Sequence, residues 1–160
     1  MTNPPLIRNE QPGDGPAIDA LVERAFGPGR YAKAAERLRE GNVAQRSLSF
    51  VAEAEGRLVG SVRLWPVSVG GQAASLLGPI AVADEYRGGG LGRRLVERAC
   101  ESARQAGCAA VLLVGDLPWF ERTGFVRAEN VTMPGPVDPR RVLVRVLKDG
   151  VDLSGPITPH

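Results

Sequence analysis

Arg87-Gly88-Gly89-Gly90-Leu91-Gly92 separates the apolar run Leu76 to Val82 from a helical pattern over Leu91 to Ala106. The order reads as strand, turn and helix. Glycines let a backbone turn with positive φ and approach a ligand closely, while the first free N–H groups of a helix carry partial positive charge. Such a turn suits a pyrophosphate, and a purely structural tight turn is the competing reading. Spacing removes two other glycine-rich readings. A Walker loop needs Gly, four residues and then Gly-Lys-Ser/Thr, whereas Gly92 is followed by Arg93-Arg94. A dinucleotide fingerprint needs a third glycine three residues after the second, yet Gly88-x-Gly90 leads to Arg93 and Gly90-x-Gly92 leads to Leu95.

Leu76 to Val82 is too short and too apolar for a surface helix and is expected as a central strand. In the helix that follows, Leu91, Leu95, Ala99, Ala103 and Ala106 recur at helical spacing, and Gly107 closes it before a buried strand at Ala109 to Val114. Strand, helix, strand in this order makes the local sheet parallel. Upstream, Leu48 to Ala54 and Leu58 to Val69 form a hairpin around Glu55-Gly56, and Gly70-Gly71 makes the next turn. Leu6 to Arg8 is expected as a short strand and Asp14 as a helix cap. Ile18, Leu21, Val22 and Ala25 share one face of that helix, which ends at Phe26-Gly27-Pro28-Gly29, and Tyr31 to Glu40 makes a second helix. Downstream, a helical turn at Trp119 to Thr123 precedes strands at Phe125 to Val131 and Val142 to Leu147, joined by the proline-rich loop Met133 to Pro139. Residues after Lys148 read as an irregular tail. One domain is therefore expected over 1–160, with a core of about 5–148 and a tail at 149–160.

A chain of 160 residues is the size of one domain, and one of that length buries about 68–70% of its extended surface. The formal net charge is +2, with both signs mixed along the chain, so nothing demands a nucleic-acid partner. Aromatic residues make up 5% of the chain and do not interleave with a basic patch, so the stacking platform of single-strand binders is missing. There is no long apolar run for a membrane and no charged-then-apolar start, and the expected compartment is the cytoplasm. Cys100 and Cys108 read as small buried thiols of a reducing compartment. The only histidine is His160, so neither a His-dependent triad nor a multi-His metal site can be built within one chain, and no metal is expected.

Arg-x-x-Gly-x-Gly, Arg87 through Gly92, resembles the acyl-coenzyme A signature of the GCN5-related N-acetyltransferase (GNAT) family. Two further stretches carry the same resemblance. Gly115-Asp116-Leu117-Pro118-Trp119-Phe120-Glu121-Arg122-Thr123-Gly124-Phe125 is similar to the family's second acyl-coenzyme A element, a short helix ending in Gly-Phe after a buried strand. Glu53 to Val62, with its Leu58-Val59-Gly60 triplet, resembles the family's hairpin. Leu77-Gly78-Pro79-Ile80-Ala81-Val82, the Gly115-Asp116 pair and Met133-Pro134-Gly135-Pro136-Val137 resemble one bacterial subgroup of predicted N-acetyltransferases.

The resemblance implies an α/β (α+β) fold, a mixed central sheet whose two parallel strands splay apart, flanked by helices. It implies acetyl-coenzyme A as cosubstrate, a primary amine as acceptor, and direct attack in a ternary complex, and it allows a homodimer. Carried onto this chain, the pantetheine arm lies against the strand Leu77 to Val82, with Ile80, Ala81 and Val82 as contacts, opposite Val111 to Gly115. The pyrophosphate falls to Arg87, Gly88, Gly89, Gly90, Leu91, Gly92 and Arg93, with Arg93 or Arg94 left for the remaining phosphate. Gly78-Pro79 reads either as a bulge that frees backbone donors for the thioester carbonyl or as a simple bend.

Many family members carry a Tyr, as proton donor to the departing thiolate, where this chain has Phe120. Phe has no proton to give, and a positioned acid is typically worth about 10²–10⁴-fold. Phe120 is expected to pack against the pantetheine end, and a non-catalytic acyl-coenzyme A-binding or regulatory module is the alternative reading. Tyr31, between the first helices, is a candidate to reach the acceptor site, and Tyr86 is expected to face away. Glu53, Glu55 and Arg63 alternate onto a solvated face. The loop Met133 to Pro139 is expected to contribute to acceptor choice. No catalytic residue is assigned.

Overall fold

A computed structural model of the chain describes residues 4–26 and 34–160. The expected helix end at Gly27-Pro28-Gly29, and Tyr31 with the start of the second helix, lie outside the described residues.

Strand β1 (Leu6–Asn9) leads into a 3₁₀ turn and helix α1 (Gly15–Phe26), then α2 (Ala34–Arg39). The apolar positions read as one face of α1 are inside, with Ile18, Leu21 and Val22 all buried. Strands β2 (Phe50–Ala54), β3 (Arg57–Val69) and β4 (Gln72–Val82) follow as a meander. Next come α3 (Leu91–Gln105), β5 (Ala110–Val114), the short helix α4 (Leu117–Phe120), β6 (Val126–Arg127), β7 (Val131–Thr132), β8 (Val142–Val146) and β9 (Gly155–Pro159). The main sheet runs β1-β2-β3-β4-β5-β8-β6, a mixed sheet whose neighbours are antiparallel except for β4 and β5.

Asp14 does not cap α1. Its carboxylate turns back, accepting from Gln11 N at 2.7 Å and from the Arg8 guanidinium at 2.8 and 3.0 Å. Arg8 is shared with Glu53 of β2, which stands opposite Leu6 and so diagonal to Arg8, and Glu53 is tied down across the β1–β2 pair. Arg63 is no solvated residue either. It forms a two-pronged pair with Glu10 at 2.9 and 3.0 Å, and Glu10 is 7% exposed. The tail expected to be irregular contains β9, which pairs Ile157 with Val69 of β3 and Gly155 with Val131 of β7. Its Ile157 is buried, together with Leu153. The strand expected over Phe125 to Val131 is broken into β6 and β7: Ala128 is buried and its N–H still reaches Val142 O in the β6–β8 register, but the chain then turns back, with Val131 N donating to Ala128 O at 3.4 Å.

One core cluster joins α1, α3 and the faces of β2, β3 and β5 that meet them, and includes Leu91, Leu95, Val96, Ala99, Val111 and Leu113. Helix α3 sits close to the sheet because Gly60 has no side chain. A Cβ there would stand 2.9 Å from Leu95 Cδ1 and 3.3 Å from Ala52 Cβ. A second cluster gathers Leu38 of α2, Leu76, Leu112, Val142, Val144 and Ile157.

The feature that positions the site is a break in the sheet. Parallel pairing of β4 with β5 is confined to Ser75 with Val111 and Leu76 with Leu112. Beyond those rungs β4 stays with β3 as far as Val82, and β5 stays with β8 along its whole length. The two strands therefore separate towards their C-terminal ends. Just past the last shared rung, Leu64 pairs with Leu77 while Val62 pairs with Ile80, so Gly78 and Pro79 together oppose the single residue Arg63. That is a bulge in β4, and Trp65 Nε1 donates to Gly78 O across it at 2.6 Å.

Candidate active site

The gap between β4 and β5 opens into a cleft of about 1000 Å³, walled by Leu77 to Val82 on one side and Leu113 to Asp116 on the other. The cleft opens between the carboxyl ends of β4 and β5, the parallel pair of the main sheet.

At its wide end lies the glycine turn. Arg87 Nε donates to Val82 O at 3.3 Å, fixing the start of the turn to the end of β4. Gly88 and Gly90 have φ of +83° and +85°, a left-handed conformation that side chains strain to adopt. Gly90 caps α3, whose first internal hydrogen bond runs from Arg94 N to Gly90 O at 3.0 Å. The N–H groups of Leu91, Gly92 and Arg93 thus stand outside the helix's own ladder, at its positive end. Arg93 lines the cleft, and its Nε is buried with no hydrogen-bond partner among the described residues. A buried charged donor without an acceptor is costly, so this position is suited to an anion. Arg94 is exposed and does not line the cleft.

Of the residues picked out in the sequence, Ile80, Ala81, Val82, Arg87, Gly88, Gly90, Leu91, Gly92, Arg93 and Phe120 all line this one cleft. Gly89 sits in the turn between its neighbours but is not in the lining. Tyr86, expected to face away, lines the cleft as well, with the Arg57 guanidinium 5.9 Å over its ring. Arg57 is held there by an ion pair to Glu85, which pulls that exposed carboxyl below its ordinary pKa.

The floor is aromatic. Phe120 makes edge contacts with Trp119 at 4.6 Å and with Phe125 at 5.8 Å between ring centroids. Two glycines make room for these rings. At Gly115 a Cβ would lie 2.5 Å from Phe120 Cε2, and at Gly92 it would lie 3.3 Å from Trp119 Cζ2. Helix α4 is therefore locked against both β5 and the first turn of α3. Among the described lining residues, the only hydroxyl is that of Tyr86, at the glycine-turn end.

At the narrow end, where the strands meet, the loop Met133 to Pro139 reaches the cleft, as expected, together with Arg39 and Arg141, which no sequence pattern marked. Arg39, Pro136, Val137, Asp138 and Arg141 converge there. Arg39 Nη1 stands 3.3 Å from where a Gly78 Cβ would be, and Gly115 N donates to Arg141 O at 2.9 Å. Arg140 holds Asp138 through two hydrogen bonds and pulls its exposed carboxyl below its ordinary pKa. Among the described residues no cluster of three or more His, Cys, Asp or Glu side chains could hold a metal, and no helix is long and apolar enough to cross a membrane.

A sheet that splits beside a glycine turn and a helix N-terminus is the arrangement that the resemblance to acyl-coenzyme A-dependent acetyltransferases implies, and sequence comparison agrees. The chain belongs to the acetyltransferase (GNAT) family, whose model matches residues 16–125. It is 42% identical over 128 residues to the uncharacterized N-acetyltransferase YhbS of Escherichia coli (strain K12), covering 78% of this chain and 75% of that protein. The crystal structure of Escherichia coli YhbS in complex with coenzyme A superposes with a TM-score of 0.83 at 33% identity, over 100% of this chain and 93% of that one. A GNAT family acetyltransferase from Brucella melitensis, in complex with acetyl-coenzyme A, gives a TM-score of 0.73 at 28% identity, over 98% and 96% of the two chains.

Proposed function

We propose that this protein transfers an acetyl group from acetyl-coenzyme A to a primary amine, by direct attack of the amine within a ternary complex. The observation that carries the reading is the alignment of three features in one cleft: the two-rung break between β4 and β5, the glycine turn, and the buried unpartnered Nε of Arg93. The coenzyme A and acetyl-coenzyme A complexes of its structural relatives support it.

When bound, acetyl-coenzyme A supplies an activated acyl thioester. The N–H groups of Gly88 to Arg93 and the Arg93 side chain would cradle the pyrophosphate. The free edges of Ile80, Ala81 and Val82 would pair with the amides of the pantetheine arm, in the manner of an added strand. Phe120, with Trp119 and Phe125 behind it, gives that arm an apolar, water-excluding floor. The chain's main contribution is then orientation, which brings amine and thioester together without solvent between them. Because Phe120 cannot donate a proton, the proton that the attacking amine loses passes to water, and the departing thiolate takes one from water in return.

Isothermal titration with acetyl-coenzyme A and coenzyme A, followed by release of free thiol in the presence of an amine panel, tests the reading. Saturable binding with turnover supports it, and a folded protein that binds neither ligand overturns it. Phe120 also favours a second reading, a non-catalytic acyl-coenzyme A-binding module. Tight binding without turnover on any amine would select that one.

A further inference from the structure

We propose that Trp119 stacks on the adenine ring of the cosubstrate, and so makes the protein select coenzyme A thioesters over an acyl group carried on a phosphopantetheine arm alone; the inference rests on the acetyl-transfer reading. Among the described residues the exposed large hydrophobic side chains are Leu6, Val43, Trp119, Val126 and Val146. Of these only Trp119, 37% exposed, lines the cleft. Its place follows from α4. Phe120 turns inward and is buried, and consecutive helical residues point about 100° apart, so Trp119 is left at the rim. The indole is nevertheless held. Its Cζ2 stands 3.3 Å from where a Gly92 Cβ would be, and its ring meets Phe120 edge-on at 4.6 Å. It is thereby fixed against the first turn of α3, one residue from Arg93.

Coenzyme A carries a neutral pantetheine arm on one side of its pyrophosphate and an adenosine 3′-phosphate on the other. With the pyrophosphate on the N–H groups of Gly88 to Arg93 and the arm running inward along β4, the adenosine leaves towards the rim, where the indole stands. An apolar ring kept partly in water gains by being covered, and a purine covers it well because base stacking on an aromatic face needs no directional partner. The other two rings in the lining are already covered. Tyr86 packs on the core with the Arg57 guanidinium 5.9 Å over its ring, and Phe120 is 8% exposed. Trp119 is therefore the ring that a nucleobase meets. Phosphopantetheine on a carrier protein brings no purine, so it forfeits this contact.

The test titrates coenzyme A, 4′-phosphopantetheine and adenosine 3′,5′-bisphosphate into the full chain, Trp119→Leu and Trp119→Phe. Adenosine 3′,5′-bisphosphate should bind the parent and quench its tryptophan emission, and that quench should vanish in both variants, where Trp65 is the remaining tryptophan. Coenzyme A should bind Trp119→Leu about tenfold or more weakly than the parent, corresponding to roughly 1.4 kcal/mol, with part of the loss restored in Trp119→Phe. Phosphopantetheine should bind the parent and Trp119→Leu alike. That last comparison separates a stacked base from a disturbed floor, because Trp119→Leu also removes a neighbour of Phe120. An unchanged affinity for coenzyme A, or a loss shared equally by coenzyme A and phosphopantetheine, overturns this inference and leaves acetyl transfer standing. A folded parent protein that does not bind coenzyme A overturns both.

Discussion

Phe120 lies flush against the bare Cα of Gly115, with Phe120 Cε2 2.5 Å from the position a Cβ would take and Leu113 Cδ1 only 2.9 Å away. The ring cannot retreat freely, because Trp119 and Phe125 hold its other sides. Gly115→Ala should therefore push Phe120 into the cleft or force β5 away from α4. Overpacking of this kind costs about 1–3 kcal/mol. Both thermal stability and acetyl-coenzyme A affinity should fall, by melting and by titration. A variant that binds normally would show that the floor beneath Phe120 is not part of the site.

Phe120→Tyr adds one hydroxyl to a ring that already lines the cleft. If proton delivery to the thiolate limits the rate, kcat should rise by about tenfold or more, within the range of a positioned acid, while the KM for acetyl-coenzyme A stays the same. Unchanged kinetics would remove the missing acid as an explanation for a slow enzyme.

Arg93→Gln removes the charge whose Nε has no partner. A hydrogen bond to a charged group contributes roughly 1.5–3 kcal/mol, so coenzyme A affinity should drop about 10- to 150-fold. The ligand-free protein should melt no lower than the parent, since no internal bond is broken. Equal losses of binding and stability would mean that Arg93 has a structural role instead.

Acid stability should depend on Asp14. The Arg8 guanidinium holds its carboxyl below the usual carboxylate range, so the folded protein stays ionised where the unfolded chain already takes up a proton. The stabilisation is complete above the ordinary Asp value near 4 and is lost as pH falls through the folded value. Denaturant midpoints measured from about pH 6 to about pH 3 should fall more steeply for the parent than for Asp14→Asn. Parallel curves would assign the acid sensitivity to other groups.

Burial pushes the Cys100 thiol up to about 12, so almost no thiolate is present near neutrality. In the native protein iodoacetamide should label Cys108 at most, with Cys100 becoming reactive only on denaturation. Peptide mass spectrometry reads this directly. Fast native labelling of Cys100 would contradict its burial.

The turn Arg87 to Gly92, the hairpin of β2 and β3, and helix α3 were legible because each is set by local chemistry: glycine spacing, alternation and helical periodicity. Tertiary pairing decided what was missed. Gly155–Pro159 has two prolines and one aliphatic residue, and becomes a strand only because Val67 to Val69 offer it an edge. Glu10 reads as a surface carboxylate until Arg63, 53 positions away, is seen to bury it. At the cleft, the half that holds the glycine turn lies on one continuous stretch of sequence. The Arg39 and Arg141 half comes from two segments a hundred positions apart, and no local pattern joins them. Tyr86 was misjudged because a 3₁₀ turn over Asp84–Tyr86 rotates it inward.

Mechanically, the two shared rungs make the sheet a pair of panels on a short hinge, one panel running from β1 to β4 and the other from β5 to β6. The α3 connection crosses from one panel to the other, and the gap between them lacks the pairing that elsewhere keeps neighbouring strands in step. Whatever fills that gap and pairs with β4 serves as a temporary member of the sheet. Ligand occupancy and rigidity of the whole fold should then rise and fall together, and hydrogen exchange at Leu77 to Val82 and Leu113 to Gly115 should slow on the same concentration scale as binding.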